Sequence, residues 1–363
     1  MDYAARLDRL RRAMAANGIS LLAVPPGDDL KYLTGFSPLA DERPCYLFLS
    51  EGAGLFLVPE LNANQSERHI RQPFVTYSDA QGPARALEAA REQFRSARTV
   101  AVGDTMRADA LLHLQRTWPQ ASFIPASTVL APLRMRKAGD EIDALRRAAR
   151  TADAATEAAY AASRPGASEE QVAQAAGEGF RRAGAAEVTF TTVGSGPNSA
   201  FPHHHTSARP LHPGEPVLYD LGSRVDGYCS DITRMAFLGT PSPRYMEIHR
   251  IVDDAVRAAL EVIRPGTPIR EVDLAARRVI ERGGFGKHFT HRTGHGIGLS
   301  GHELPSITHT NEMPLEAGMA FSVEPGIYLP GEFGVRLEEI VVVTDRGAEI
   351  LSGLSRDVKI IAG

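Results

Sequence analysis

Two aspartates lie in a stretch that otherwise reads as buried strand. Residues 217–233, VLYDLGSRVDGYCSDIT, hold Asp220 and Asp231 on either side of Asp226-Gly227, a strong two-residue hairpin signal. A turn there pairs residue 220 near 233, and period-two alternation then sets both carboxylates on one face. Like charges on one face of a core hairpin repel each other and resist leaving water. A cation between them removes both penalties, so metal binding is the chemistry that this spacing suggests.

The chain supplies further acids by repeating itself. Arg164-Pro165-Gly166 recurs as Arg264-Pro265-Gly266, each between an amphipathic helix pattern and a second helix pattern ending in Gly. At the same offset Gly194-Ser195-Gly196 matches Gly294-His295-Gly296, and PGEPVLYDLG (213–222) resembles AGMAFSVEPG (317–326). The last match lays Asp220 on Glu324 and brings Asp231 opposite Glu338, in GVRLEEIVVV. Two hairpins related by an internal pseudo-twofold would turn four carboxylates toward one centre, where only cations keep them ionised. His295 adds an imidazole, while its repeat mate Ser195 is not a ligand type. Four carboxylates and one histidine suit a pair of divalent ions, Mn²⁺ first, with Co²⁺, Fe²⁺ and Zn²⁺ as alternatives. Arg336, two residues before Glu338, faces the same side of its strand and is placed to orient carboxylates.

The elements that must position these residues fall into two parts. Residues 1–133 alternate strand patterns (19–24, 45–50, 54–60, 99–104) with helix patterns (6–18, 84–96), as an α/β domain does. The charged stretch 134–141 reads as a linker opening a long Ala-rich helix over about 140–163, which gives residues 134–363 to the part with the acids. The expected fold class is α/β (α+β), with the internal repeat in the second domain.

Composition narrows the partners. A net charge of −4 gives no reason to expect nucleic acid or an anionic membrane. No apolar run is long enough to span a bilayer, the N-terminal MDYAARLDRLRRAM is not a signal peptide, and Cys45 and Cys229 lie far apart. These features fit a reducing cytoplasm. Gly296–Gly301 matches G-x-G-x-x-G, but Pro305 and Pro314 interrupt the helix that a dinucleotide site requires. H-E-x-x-H and G-x-S-x-G are both absent, which removes zinc-helix and nucleophile-elbow peptidases.

VGSGPNSAFPHH, YDLGSRVDGYCSDITR, THRTGHGIGLSGHE, EPGIY and GVRLEE follow one another across 193–339. In that order they resemble the pita-bread metallopeptidases, the family of methionine aminopeptidase, aminopeptidase P and prolidase. YLTGFSPLADERP (32–44) resembles the creatinase/prolidase-type N-terminal domain, so the likeness covers nearly the whole chain. The resemblance implies a pita-bread domain over 134–363 with Asp220, Asp231, His295, Glu324 and Glu338 as ligands, Asp231 and Glu338 bridging two ions. It also implies that Glu324 shuttles a proton to the leaving proline nitrogen and that His302 steadies the tetrahedral oxyanion. His203 and His291 would hold the substrate, with Arg336 beside them; His204 and His205 carry no such expectation.

The N-terminal domain favours proline-directed cleavage over a bare methionine aminopeptidase. The expected reaction is hydrolysis of Xaa-Pro dipeptides, with aminopeptidase P action on Xaa-Pro-Xaa peptides as the alternative. The complete ligand set argues against a metal-free creatinase-like enzyme or a binding module of this fold. Many prolidases carry an Arg after the Pro of H-E-x-P, whereas Ser306 follows Pro305 here. The resemblance also implies a homodimer in which loop 37–44, SPLADERP, reaches the partner's site. Arg43 would then meet the substrate carboxylate and Asp41 its free amine.

Overall fold

In the computed structural model, which describes residues 1–363, the backbone separates into two units, Met1–Arg134 and Met135–Gly363. The first runs α1 (Tyr3–Ala16), β1 (Leu21–Val24), α2 (Asp28–Thr34), β2 (Tyr46–Leu49), β3 (Gly54–Pro59), α3 (Glu60–Ser66), β4 (Phe74–Tyr77), α4 (Ala84–Gln93), β5 (Thr99–Val102), α5 (Ala108–Thr117), β6 (Ser122–Pro125) and α6 (Ser127–Met135). Its strands form one sheet in the order β4-β3-β2-β1-β5-β6. β1, β2 and β3 are buried along their whole length, so they read as unbroken apolar runs rather than alternating ones. α2 and α3 left no mark on the sequence pattern because seven residues make only two turns, too short for a periodicity to show. The expected linker 134–141 is mostly helical. α6 runs to Met135 and α7 begins at Gly139, and between them Lys137 is buried.

The second unit contains the repeat. Its first half is α7 (Gly139–Ala162), α8 (Glu169–Arg182), β7 (Glu187–Ser195), β8 (Pro216–Val225) and β9 (Tyr228–Leu238). Its second half is α9 (Pro243–Val262), α10 (Ile269–Arg282), β10 (Gly294–Gly296), β11 (Glu303–Ile307), β12 (Ala320–Val323), β13 (Gly326–Leu329), β14 (Phe333–Arg336) and β15 (Glu339–Thr344). β16 (Gly347–Ile350) and β17 (Lys359–Ile361) follow. The sheets are β17-β9-β8-β7, β11-β10-β12-β15-β16 and the pair β13-β14.

Each helix pair covers its own half. Ala152, Ala155 and Ala159 of α7 pack with Phe180 of α8 against Tyr219, Leu221 and Ile232. The small side chains let the helices approach closely: a Cβ on Gly179 would lie 2.9 Å from the Ala155 Cα. In the other half Ile248, Val252 and Val256 of α9 meet Val272 of α10, Phe321, Val323 and Val341.

The two hairpins differ. β8 and β9 are continuous, with Asp220 opposite Thr233 and Gly222 opposite Asp231. Their turn places Asp226 at φ 52° and Gly227 at φ 86°, the left-handed pair of a type I′ turn. The second hairpin, which the repeat led us to expect as a matching ladder, is interrupted on both strands. β12 stops before Glu324 and β13 resumes after Pro325; β14 stops before Leu337 and β15 resumes after Glu338.

Candidate metal centre

The five expected ligands come together. Asp220, Asp231 and Glu338 form one group whose ligand atoms all lie within 4.8 Å; His295, Glu324 and Glu338 form a second, and Asp231, His295 and His302 a third. Asp231, His295 and Glu338 each belong to two of these overlapping groups. Together the five line a cavity of about 560 Å³ that also includes His203, His291, His302, Arg292 and Arg336.

The electrostatics of the cluster call for positive charge. Asp231 and Glu338 are pushed well above the usual carboxylate range, by burial first and then by the neighbouring acids. Asp220 is also raised by burial, against the pull of Arg336. Glu324 goes the other way, to about 2: burial opposes the shift, but the hydrogen bond and charge of His295, then Arg336, outweigh it. The Glu338 Oε1, in a side chain only 1% exposed, has no hydrogen-bond partner. A buried carboxylate oxygen without a donor is strongly unfavourable, and a divalent cation beside several hard oxygens is the partner that fits it.

The surrounding groups fix these carboxylates. Arg336 donates from Nη2 to the Asp220 Oδ2 at 2.6 Å, from Nε to the Thr233 hydroxyl at 3.0 Å and from Nη1 to the Tyr328 hydroxyl at 3.0 Å. Thr233 in turn donates to the Glu338 Oε2 at 2.8 Å. Ser322 plays the same part in the second half, donating to the Glu324 Oε1 at 3.0 Å while accepting from the His295 N–H. The His295 Nδ1 lies 3.1 Å from the Gly296 carbonyl and its Nε2 faces Glu324 at 3.2 Å and Asp231 at 3.8 Å. A carbonyl on Nδ1 fixes the tautomer that leaves Nε2 available to a metal. Arg234, fully buried, holds the backbone from behind: it donates to the Glu338 carbonyl, to the Glu339 carboxylate, to the Ser352 hydroxyl and to the Leu354 carbonyl.

The histidines separate by environment. His302 stacks on His295, ring centroids 3.7 Å apart, and is lowered to about 4 by burial and then by the His295 charge, so it stays neutral at ordinary pH. His203 is exposed and lines the cavity. His291 is engaged at both nitrogens, Nδ1 with the Arg292 carbonyl at 2.7 Å and Nε2 with the Tyr328 hydroxyl at 2.9 Å. It therefore supports Tyr328, which supports Arg336. His204 turns to Glu169, a wholly buried carboxylate that also accepts from the Ser195 and Ser207 backbone and hydroxyls and from Asn198. Those bonds keep Glu169 below the ordinary glutamate range against the effect of burial, which is the largest single influence. One carboxylate thus ties both ends of the loop that bears His203.

Sequence reasoning missed Thr233, Ser322, Tyr328, Glu169 and Arg292. Thr233 had a signal, because the turn at Asp226-Gly227 already paired it with Asp220. Arg292 follows His291 and donates from Nη1 to the Ser306 hydroxyl at 2.9 Å, the position where the expected arginine is missing. Asp41 and Arg43 are not in this group: they lie in the first unit, where Arg43 pairs with Asp41 at 2.9 Å and with both oxygens of Asp79 at 2.8 and 3.0 Å.

Residues 143–345 match Metallopeptidase family M24, and residues 6–136 match the Creatinase/Prolidase N-terminal domain. The chain belongs to metallopeptidase family M24, with the mixed α/β fold of a creatinase-type domain followed by a pita-bread domain. Among its relatives, a probable dipeptidase PepE of Mycobacterium tuberculosis is 37% identical over 99% of this chain and 96% of its own. The Xaa-Pro dipeptidase of Lactobacillus delbrueckii subsp. lactis is 34% identical over 98% of both chains. The crystal structure of a prolidase from Thermococcus sibiricus superposes with a TM-score of 0.95 at 34% identity, covering 99% of this chain and 100% of its own. Membership of a metallopeptidase family implies divalent metal ions, in keeping with the donor set above. No helix is long and apolar enough to cross a membrane.

Proposed function

We propose that this chain is a metal-dependent dipeptidase that hydrolyses the peptide bond before proline in Xaa-Pro dipeptides, using two divalent ions, Mn²⁺ first. The observation that carries this reading is the convergence of Asp220, Asp231, His295, Glu324 and Glu338 in overlapping groups around the unpartnered Glu338 Oε1. Ions held there supply Lewis acidity and a nucleophile at neutral pH. Of the three residues shared between groups, Asp231 and Glu338 are the carboxylates, whose two oxygens would let them serve both ions in this reading. The protein's own groups do the rest. Arg336, Thr233 and Ser322 hold the carboxylates in place, His302 donates to the oxyanion, and Glu324 passes a proton to the leaving proline nitrogen. His203 meets the substrate from its loop.

A dipeptide brings a free carboxylate, which a small pocket must meet with a cation. Two cations line the metal cavity: Arg336 is committed to Asp220, whereas Arg292 has only the Ser306 hydroxyl. We therefore give the carboxylate to Arg292. The sequence had suggested Arg43 from a partner subunit of a homodimer, with Asp41 on the amine; Arg43 is already held by three carboxylates, those of Asp41, Glu42 and Asp79. Steady-state kinetics of the Mn²⁺-loaded protein on an Xaa-Pro dipeptide, its amide and an Xaa-Pro-Xaa tripeptide test the whole reading. The free dipeptide should be much the best substrate, and Arg292→Met should lose most on the free acid. A preference for the tripeptide would point to aminopeptidase P action instead, and a large acid-specific loss in Arg43→Ala alone would return the carboxylate to the loop.

A further inference from the structure

One buried ion pair close to the site has no part in the reaction described above. The Lys137 Nζ lies 2.6 Å from the Glu303 Oε1, and the two side chains are 1% and 9% exposed. Charges taken this far out of water persist only where the pair is well formed and rigidly held. Lys137 is held: its N–H donates to the Gly318 carbonyl at 2.8 Å, next to the bridge between Arg136 and Met319.

Glu303 immediately follows His302. It is the first residue of β11 and stands opposite Gly296, the neighbour of His295. Its carboxylate also packs on the turn between them, where a Cβ added to Gly298 would meet the Glu303 Oε1 at 2.7 Å. The same turn is fixed on its other side by the Cys229 N–H, which donates to the Gly298 carbonyl at 2.7 Å. No side-chain hydrogen bond holds the His302 ring, so its place over His295 follows from the segment that carries it.

We propose that Lys137, acting through Glu303, is a positioning residue that sets the His302 ring over the metal ligand His295. This rests on the role given to His302 above. Neither Lys137 nor Glu303 touches the substrate; the ion pair fixes where the turn 297–303 ends and hence where the imidazole starts.

The test is a double-mutant cycle on the Mn²⁺-loaded enzyme with an Xaa-Pro dipeptide: Lys137→Met, His302→Ala and the two together, with bound metal measured for each. Lys137→Met should lower kcat about 10- to 100-fold, the cost of a displacement near 1 Å, while KM and metal content stay near wild type. In the His302→Ala background the same substitution should change kcat less than about twofold, because coupled residues do not lose independently. Lys137→Arg, which keeps the charge, should restore most of the loss. Equal losses with and without His302 would overturn the inference, as would full kcat in Lys137→Met. If Lys137→Met does not fold, the neutral pair Lys137→Gln/Glu303→Gln replaces it in the same cycle and is judged by the same two outcomes. Wild-type kcat in His302→Ala alone would instead remove the role of His302 and show the failure to lie in the proposed mechanism.

Discussion

The first hairpin of the second unit presents Asp220 and Asp231 from two unbroken strands, whereas the second presents Glu324 and Glu338 from gaps between strands. In a continuous antiparallel ladder every second backbone N–H is used by the strand opposite. At the gaps it is not: the Glu324 N–H goes to the Thr293 carbonyl, the Glu338 N–H to the Thr233 carbonyl, and the Glu338 carbonyl to Arg234. The second hairpin keeps one register across its gaps, with Val323 opposite Glu339 and Gly326 opposite Arg336, but β12 and β15 lie in the sheet of β10 while β13 and β14 pair apart. The side chains follow the same division. Straight strands carry the shorter aspartate, and the gaps carry glutamate, one methylene longer. The repeat thus keeps both its donors and its hairpin register, while the second copy adds backbone cross-links from elsewhere in the fold.

The largest effects should come from removing Asp231 or Glu338, one acid from each half. Asp231→Ala and Glu338→Ala should each lose an ion, seen by elemental analysis, and lose turnover well beyond the roughly 10- to 100-fold typical of outer-shell changes. Near-normal activity with full metal in either variant would sink the dinuclear reading. His302, which belongs to the second half alone, comes next. His302→Ala should lower kcat by about 10²–10³ with little change in KM, and a raised KM at unchanged kcat would make it a ground-state binding group.

The orienting hydroxyls sharpen the contrast further. Thr233→Val in the first half and Ser322→Ala in the second should each weaken metal affinity by about 10- to 100-fold, with turnover recovered at saturating metal. Metal titration reads this directly; an effect confined to one half would show that the two halves do not share the load. The smallest effect is on stability. Glu169 is held below the ordinary glutamate value of 4.5, so its stabilisation is present above that pH and fades as pH falls through its lower folded value. Glu169→Gln should cost about 1–3 kcal/mol at neutral pH and flatten the acid side of the thermal-unfolding profile. An unchanged profile would mean that other groups govern acid unfolding.

The first hairpin was almost wholly legible in the sequence. The turn at Asp226-Gly227 put Asp220 opposite Thr233, and period two then set Asp231, opposite Gly222, on the same face, as observed. Glu324, Glu338 and His295 were legible through the repeat, which carries residue type forward but not strand continuity. The gaps were hidden because their causes lie far off in sequence: Arg234 and the Thr293 and Thr233 carbonyls must already be in place. Tyr328, Ser322 and Glu169 were hidden for another reason. A hydroxyl or a lone acid within a helix or strand has no spacing that marks it, and only its neighbours in space give it a role. His291 was legible as a histidine near the site, but not that Tyr328 and the Arg292 carbonyl would occupy both its nitrogens.

The reach of Arg234 bears on the order in which the chain can become an enzyme. Arg234 sits on β9, yet the groups it binds run from Glu338 to Leu354, and β17 at Lys359–Ile361 lies parallel against the same strand. During synthesis the first hairpin emerges more than a hundred residues before the last of those acceptors. Until they arrive, a guanidinium destined for full burial has only the neighbouring Thr233 carbonyl to bind, which disfavours settling that hairpin into its final sheet. A nascent chain that already carries Asp220, Asp231, His295, Glu324 and Glu338 therefore still lacks the acceptors at Ser352 and Leu354 that settle the first hairpin.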